Sequence, residues 1–399
     1  MYFPLHSYVY LILLIASLVL KDTKHSKRLI AACKNATHSQ HFPEYKRALY
    51  LETTVDTSAN VSIGDINGDG NKDILLVKGR HWPGMSRILL GDGRGHFSSG
   101  YNLTEARYRS YSGHLVDLNG DGHLDIVLSN DKPDPKLILL NDGTGHFPIS
   151  SPFGHADWNT RNASIADLNG DGLPDIIIAN RSNNALDYVC LNDGKGHFDT
   201  NCFPFTNISS TTITPADVNH DGLVDLVVPN RDGGQSYVYL NAGNAAFSNE
   251  KRIVFGPANA TIRMAEVTDF NGDKLTDIVV IDDERRTVEI YFGTKEGGFS
   301  QYLFLEKDTI IPYALAVADL NHDGASDIIV GNVEEPSTVY FNDGTGRHFT
   351  PVHFGDQKGT VYGFAIADLD GDGLLDIVAA RSDARNVIYF ADIEQSKNK

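Results

Sequence analysis

The apolar positions of the chain fall into short runs separated by polar loops, and the arrangement recurs about every fifty residues. The third copy states it most clearly. A short run, Ala163-Ser-Ile-Ala166, leads into an acidic loop, and its small side chains suit a strand crowded near an axis. The continuous apolar run Ile176-Ile-Ile-Ala179 follows, the pattern of a strand covered on both faces. After a polar loop comes Tyr188-Val-Cys-Leu191. The Asp-Gly step in Asn192-Asp-Gly-Lys-Gly196 then predicts a hairpin, and His197-Phe198 opens a fourth strand. No segment carries a helical period. Four antiparallel strands per repeat, in seven copies, predict an all-β fold, a seven-bladed β-propeller of four-stranded antiparallel blades.

The two ends of the chain bear on how such a ring would close. The seventh copy stops after its third strand, Val387-Ile-Tyr-Phe390, while His41-Phe-Pro-Glu-Tyr45 near the start echoes the fourth-strand opening His146-Phe-Pro-Ile-Ser150. Residues near 41–46 are therefore expected to complete the last blade, so that the N-terminal strand closes the ring and leaves no open edge. The expected organisation is a leader over 1–34 and the propeller over 35–399. Tyr8 to Leu20 form an apolar run of thirteen, short for a membrane span and suited to the core of a signal peptide. Lys21, Lys24, Lys27 and Arg28 follow the run instead of preceding it, which leaves a retained N-terminal anchor as an alternative. A lipidated Cys33, after Ile30-Ala31-Ala32, is another. A secreted or cell-surface location is expected, with no other membrane insertion.

Each repeat carries a nine-residue phrase, as in Asp167-Leu-Asn-Gly-Asp-Gly-Leu-Pro-Asp175. Oxygen-bearing side chains stand at positions 1, 3, 5 and 9, the spacing by which a tight loop wraps a hard cation such as Ca²⁺. The phrase starts again at Asp65, Asp117, Asp217, Asp269, Asp319 and Asp368. Side-chain-capped turns alone account for one or two oxygens per loop, not four at fixed spacing in seven loops. A calcium loop of the helix–loop–helix kind is excluded, because its twelfth-position Glu is Leu76 in the first copy. The fifth copy has Lys274 where six have Gly, which makes the Asp269 loop the weakest site. The seventh has Asp370 in place of Asn, and its extra charge should make it one of the tighter ones. His220 and His322 replace the first Gly of their loops as turn residues, not ligands.

Charge narrows the class further. The chain has 34 basic and 52 acidic residues, a net charge of −18, and no basic cluster in the repeats, which argues against a nucleic-acid partner. Of the cysteines, Cys190 and Cys202 lie in the repeats. An oxidising compartment would allow a bridge, but if Asn192 pairs with His197 across the turn, Cys190 faces position 199, three residues short of Cys202. Glycosylation sequons stand at Asn35, Asn60, Asn102, Asn162, Asn180, Asn207 and Asn259.

Phrases such as Ala166-Asp-Leu-Asn-Gly-Asp-Gly-Leu-Pro-Asp-Ile176 and Leu140-Asn-Asp-Gly-Thr-Gly-His-Phe147 resemble the FG-GAP and VCBS repeat family, found in the integrin alpha-subunit propeller and in secreted microbial propellers. The resemblance covers roughly residues 41 to 391. It implies that each acidic loop joins the first and second strands of its blade and binds Ca²⁺, with a backbone carbonyl at position 7. Up to seven ions follow. The implied ligands are Asp65, Asn67, Asp69, Asn71 and Asp73 in the first loop, and Asp117, Asn119, Asp121, His123 and Asp125 in the second. The third and fourth take Asp167, Asn169, Asp171, Leu173, Asp175 and Asp217, Asn219, Asp221, Leu223, Asp225. The fifth and sixth take Asp269, Asn271, Asp273, Leu275, Asp277 and Asp319, Asn321, Asp323, Ala325, Asp327. The seventh takes Asp368, Asp370, Asp372, Leu374 and Asp376.

No phosphate-binding Gly-Lys loop, zinc spacing or nucleophile elbow is present. His96, His146, His197 and His348 all precede the Phe that opens a fourth strand, a repeated structural position. The position six residues before each acidic loop is different: Ala59, Tyr111, Arg161, Thr211, Arg263, Tyr313 and Tyr362. It varies while favouring Tyr and Arg, types enriched in binding hot spots. It should sit at the channel mouth opposite the metals, with Trp158 and Arg109 in the loops leading to it. Side chains that merely plug the channel are the competing explanation. A second polar register, Lys78, Asn130, Asn180, Asn230, Asp282, Asn332 and Arg381, should flank the same face, with strand-end capping the simpler account. The expected function is recognition or adhesion, with a glycan or an extracellular protein as ligand at Tyr111, Trp158, Arg161, Arg263, Tyr313 and Tyr362. A carbohydrate-active enzyme of lyase or hydrolase type, assembled from separate blades, is the alternative.

Overall fold

A computed structural model describes residues 42–182, 185–198, 202–307 and 310–393. The fold is all-β, built of four-stranded antiparallel sheets arranged propeller-like. The second sheet is typical: Ser110–Val116, Asp125–Asn130, Lys136–Leu140 and Ile149–Phe153 pair in chain order. The same order recurs in the sheets that begin at Thr160–Ala166, Thr214–Ala216, Ile262–Thr268 and Pro312–Ala318. One further sheet has eight strands. In it Asp56–Gly64, Asp73–Lys78, Arg87–Leu90 and Ser99–Asn102 form one set of four. Thr360–Ala367, Asp376–Ala384, Val387–Asp392 and Glu44–Tyr50 form the other. The sets are joined where Asp56 faces Ala384 and Thr57 faces Ser382.

Burial explains the alternation of element types. The apolar second strands lie in the middle of their sheets and are buried along their length, as at Asp125–Asn130 and Asp175–Asn180. Neighbouring sheets pack face to face: Val127 and Ile138 of one meet Ile176, Ile178 and Cys190 of the next. Small side chains let the first strands approach closely. Ser62 and Thr214 each donate a hydroxyl to a carbonyl of the next first strand, at Gly113 and Ala265, and Ser164 to Ile213 just before its neighbour's first strand, over 2.6–2.7 Å. Fourth strands are largely exposed.

The strand from the front of the chain pairs with the last one, as anticipated, but it runs Glu44–Tyr50, with Leu49 opposite Ile388 and Tyr50 opposite Val387. It starts later than residues 41–46 because the His-Phe pair precedes the fourth strand instead of opening it; in the second sheet His146 and Phe147 likewise lie before Ile149–Phe153. His41 and the leader fall outside the described residues. A buried polar network then ties this end to the seventh copy. Glu52 forms an ion pair with Lys78, and Asn386 donates to Glu52 at 2.8 Å and to Ser58 at 2.9 Å.

Cys190 and Cys202 form a disulfide and face each other directly across adjacent strands. The register argued from an Asn192–His197 pair does not hold. The turn is wider than that: in the second sheet Leu140 faces Ile149, so the strands meet further from the turn than the hairpin signal implies.

Candidate functional site

The acidic loops all lie between the first and second strands of their sheets. Each first-position carboxylate closes the loop on itself. Asp167 accepts from Gly170 and Gly172 at 2.8 Å, and Asp65 accepts from Asp69 and Gly70 at 3.0 and 2.9 Å. The fifth-position carboxylate accepts the N–H of position 7, as Asp171 does from Leu173 at 2.9 Å. The Asn at position 3 aims its amide at that same carboxylate, 2.8 Å from Asn169 to Asp171.

The ninth aspartate has a second duty that its spacing did not reveal. Asp175 is fully buried and accepts the N–H of Leu168 at 3.0 Å and of Asn192 at 2.9 Å, tying its loop to the end of the third strand. Asp73, Asp125, Asp225, Asp277, Asp327 and Asp376 repeat this pair of contacts. These residues therefore hold the fold directly, whatever they also offer a cation.

The residues fit a divalent cation best at the seventh loop. Carboxylate oxygens of Asp368, Asp370 and Asp376 lie within 4.8 Å of one another, and Asp370 has a buried oxygen without a hydrogen-bond partner. Such an atom is costly unless something positive faces it. The expectation that Asp370 tightens this site is qualified by Arg47. Its guanidinium, seated over the Phe390 ring at 4.0 Å, pairs with the other Asp370 oxygen and offsets the extra charge. In the fifth loop Lys274 has φ 68°, so this position does require the left-handed region that Gly fills elsewhere. His220 and His322 sit at φ 59° and 56°, both exposed, as turn residues.

At the other end of the first strands, Ala59, Tyr111, Arg161, Thr211, Arg263, Tyr313 and Tyr362 line one cavity of about 370 Å³. The chain thus brings the whole varied register together. The tyrosine rings, however, are not free platforms. Arg80 lies over Tyr362 at 3.6 Å, Arg263 over Tyr313 at 3.5 Å and Arg161 over Tyr111 at 4.4 Å, while Tyr313 and Tyr362 pack edge to face. Trp158 is outside this cavity. It stacks on Tyr188 with centroids 3.9 Å apart and belongs to the packing between two sheets.

The second polar register proves to be strand-end bracing. Asn130, Asn180 and Asn332 are buried and donate to the carbonyls of Pro135, Leu186 and Pro336. Residues that matter at the mouth sit one or two positions further on, and the sequence reading missed them. Asp131 pairs with Arg161 at 2.7 Å, Asp283 with Arg263 at 2.8 Å and with Arg231, and Arg181 with Asp232 at 2.7 Å. The signal was strand alternation, which turns successive residues to opposite sides. His81 lies 3.2 Å from the Tyr111 hydroxyl; burial, then Arg161 and Arg80, hold its pKa below the ordinary histidine range. Deeper in, Glu266 is the only acid of the lining, and desolvation lifts it to about 7.

The geometry defines a propeller-like repeat protein with constant acidic loops at one end of its inner strands and a variable arginine–tyrosine mouth at the other. The profile of the FG-GAP-like repeat matches residues 65–128, 117–178, 167–228, 217–280, 269–330 and 319–379, and the chain belongs to this family. No curated protein matches it in sequence. Among the solved structures that share its fold are two at 12% identity. A crystal structure of BBS1N in complex with ARL6DN, soaked with mercury, has a TM-score of 0.59 and covers 89% of this chain and 98% of that one. The lead-soaked counterpart has a TM-score of 0.57 and covers 90% and 98%.

Proposed function

We propose that the chain is a calcium-binding, seven-bladed β-propeller, closed by its N-terminal strand, that acts as a recognition module at the channel mouth. The observation that carries this reading is the convergence of all seven members of the varied register on one cavity, away from the acidic loops. The register varies while favouring Tyr and Arg, the composition of a binding hot spot. The calcium reading rests on the seven loop phrases and on the orphaned Asp370 oxygen. The disulfide favours an oxidising compartment, in line with a leader over 1–34 and a secreted or surface-displayed propeller over 35–399.

A protein ligand is favoured over a glycan. Sugar binding draws on open aromatic faces, and the three mouth tyrosines carry guanidiniums on theirs. BBS1N, of similar fold, is itself seen in complex with a protein, ARL6DN. Hydrolysis of a glycoside takes two carboxylates, and the cavity lining holds one, Glu266. The sequons are compatible with a surface protein only in part. Asn60 and Asn162 line the cavity and Asn180 is buried; Asn102, Asn207 and Asn259 are exposed, and Asn35 lies outside the described residues.

The experiment is a paired screen of labelled protein, with Ca²⁺, against an array of extracellular proteins and an array of glycans. Any hit is repeated with Tyr313→Ala and Arg161→Ala. Losses of about 2 kcal/mol each, with unchanged melting, place recognition at the mouth. Hits that both variants retain put the site elsewhere, and turnover of a polysaccharide makes the chain an enzyme. Fewer than four bound ions in a metal analysis would sink the calcium assignment.

A further inference from the structure

Around the channel mouth the balance of charge is reversed from that of the chain. Arg80, Arg161, Arg181 and Arg263 line the cavity and Arg231 stands behind them, against the carboxylates of Asp131, Asp232 and Asp283. Five guanidiniums thus face these three carboxylates and the Glu266 carboxyl of the lining, an excess of one positive group in a protein whose net charge is −18. The three aspartates act as braces: each fixes an arginine from the side, and Asp283 serves two at once. That leaves forks held in place with charge to spare.

Arg80 is the member left without such a brace. Among the described residues it has no carboxylate partner. It is held by the Tyr362 ring and by a long contact of 3.4 Å to Ser382, and its buried Nε has no hydrogen-bond partner. Its backbone is also in the left-handed region, at φ 67°, as is that of Glu334 at the equivalent turn (φ 54°). The Nε is walled in, so what Arg80 offers the cavity is the end of its guanidinium, with no carboxylate of its own and a charge that is never lost.

We infer that the mouth receives a carboxylate side chain from an acidic protein segment, with Arg80 as its principal anchor and Arg161 and Arg263 as flanking donors. The inference rests on the recognition reading above and names the chemistry of its ligand. A carboxylate matches the guanidinium fork with two parallel hydrogen bonds. Long-range repulsion from the acidic chain does not forbid the contact, because charges further than about 8 Å are screened at physiological ionic strength. A glycan acid would satisfy the same fork, but its ring would lack the uncovered aromatic face on which to lie.

The probes are a short labelled glutamate-rich peptide, the same peptide with glutamine at each glutamate, and a uronate oligosaccharide. Each is titrated by fluorescence anisotropy against the full protein in about 1 mM Ca²⁺. The glutamate peptide should bind and the glutamine peptide should bind at least about tenfold more weakly. Arg80→Gln should weaken the glutamate peptide by about tenfold or more, and Arg80→Lys by less, with the melting temperature of both variants within a few degrees of the parent. Equal binding of the two peptides, no binding at all, an unaffected Arg80→Gln variant, or tighter binding of the oligosaccharide each overturns the inference. If array hits that depend on Tyr313 and Arg161 persist alongside such a result, the recognition reading stands and only its acidic ligand falls.

Discussion

The two ends of the inner strands are made from the same repeat and obey opposite rules. At the loop end, position 1 is Asp in all seven copies, position 5 is Asp in all seven and position 9 is Asp in all seven. At the mouth end, the register six residues earlier holds Ala, Thr, two Arg and three Tyr. The loop end repeats because each copy solves the same local problem, closing a turn over a cluster of oxygens. The mouth end varies because its seven members meet in one cavity, where each can do a different job. Electrostatics separates them as well, with acids gathered at one end and an excess of arginine at the other. One end is therefore expected to govern stability, and the other binding.

Removing the cation should give the largest effect and should fall on stability. With a dissociation constant of about 0.1 mM per site in about 1 mM calcium, each site contributes roughly 1.4 kcal/mol, and six or seven independent sites about 8–10 kcal/mol. Chelator should lower the melting temperature sharply, as followed by circular dichroism. Melting unchanged by chelator would mean that the acidic loops fold without an ion and that the contrast between the two ends is only one of charge.

Two aspartates of one loop divide the loop end further. Asp175→Ala strands the buried N–H groups of Leu168 and Asn192 and should cost about 2–5 kcal/mol. That loss should persist in chelator. Asp167→Ala removes an oxygen from an exposed turn, so its cost should be present with calcium and shrink to about 1 kcal/mol or less without it. Denaturant titrations of both variants with and without chelator give the four values. Equal chelator dependence would show that position 9 acts chiefly as a ligand.

Inside the channel, Glu266 tests whether the mouth end affects stability at all. Its folded pKa of about 7 lies above the ordinary 4.5, so the folded form keeps a proton that the unfolded chain has released. Stability relative to an ionised reference is complete below pH 4.5 and is lost as pH rises through about 7. Glu266→Gln removes that loss and should raise stability by about 1–3 kcal/mol at pH 8, with little change at pH 5. A variant with the same pH dependence as the parent would show that channel water solvates the carboxylate.

Much of this was legible in the sequence, and the failures have a common cause. Repeat length, strand count, the buried runs such as Ile176 to Ala179, and the convergence of Tyr111, Arg161 and Tyr362 all follow from one-dimensional period and register. What period cannot give is partner choice between repeats. The Asp131–Arg161 pair spans two sheets, Arg47 reaches Asp370 from the far end of the chain, and Trp158 turns away to Tyr188. The disulfide was obscured because the hairpin signal misplaced the register: Cys190 faces Cys202, not position 199.

The smallest effect concerns the one loop that breaks the uniformity of its end. Lys274 occupies the left-handed position at φ 68°, and its N–H still reaches Asp269 at 2.7 Å, as the glycine N–H does in the other copies. The loop therefore keeps its shape and bears the strain of a side chain there. Lys274→Gly relieves that strain, less the entropy that glycine adds to the unfolded chain, for a net gain of about 0.5–1 kcal/mol. It also removes a positive charge from the acidic loop, which should tighten the ion. The two contributions separate by condition: in chelator only the backbone part remains, and with calcium the gain should be larger. Thermal melts of parent and variant in both buffers measure them. A gain that is the same in both would mean that the ammonium does not oppose the cation, and no gain in chelator would mean that the left-handed residue bears no strain.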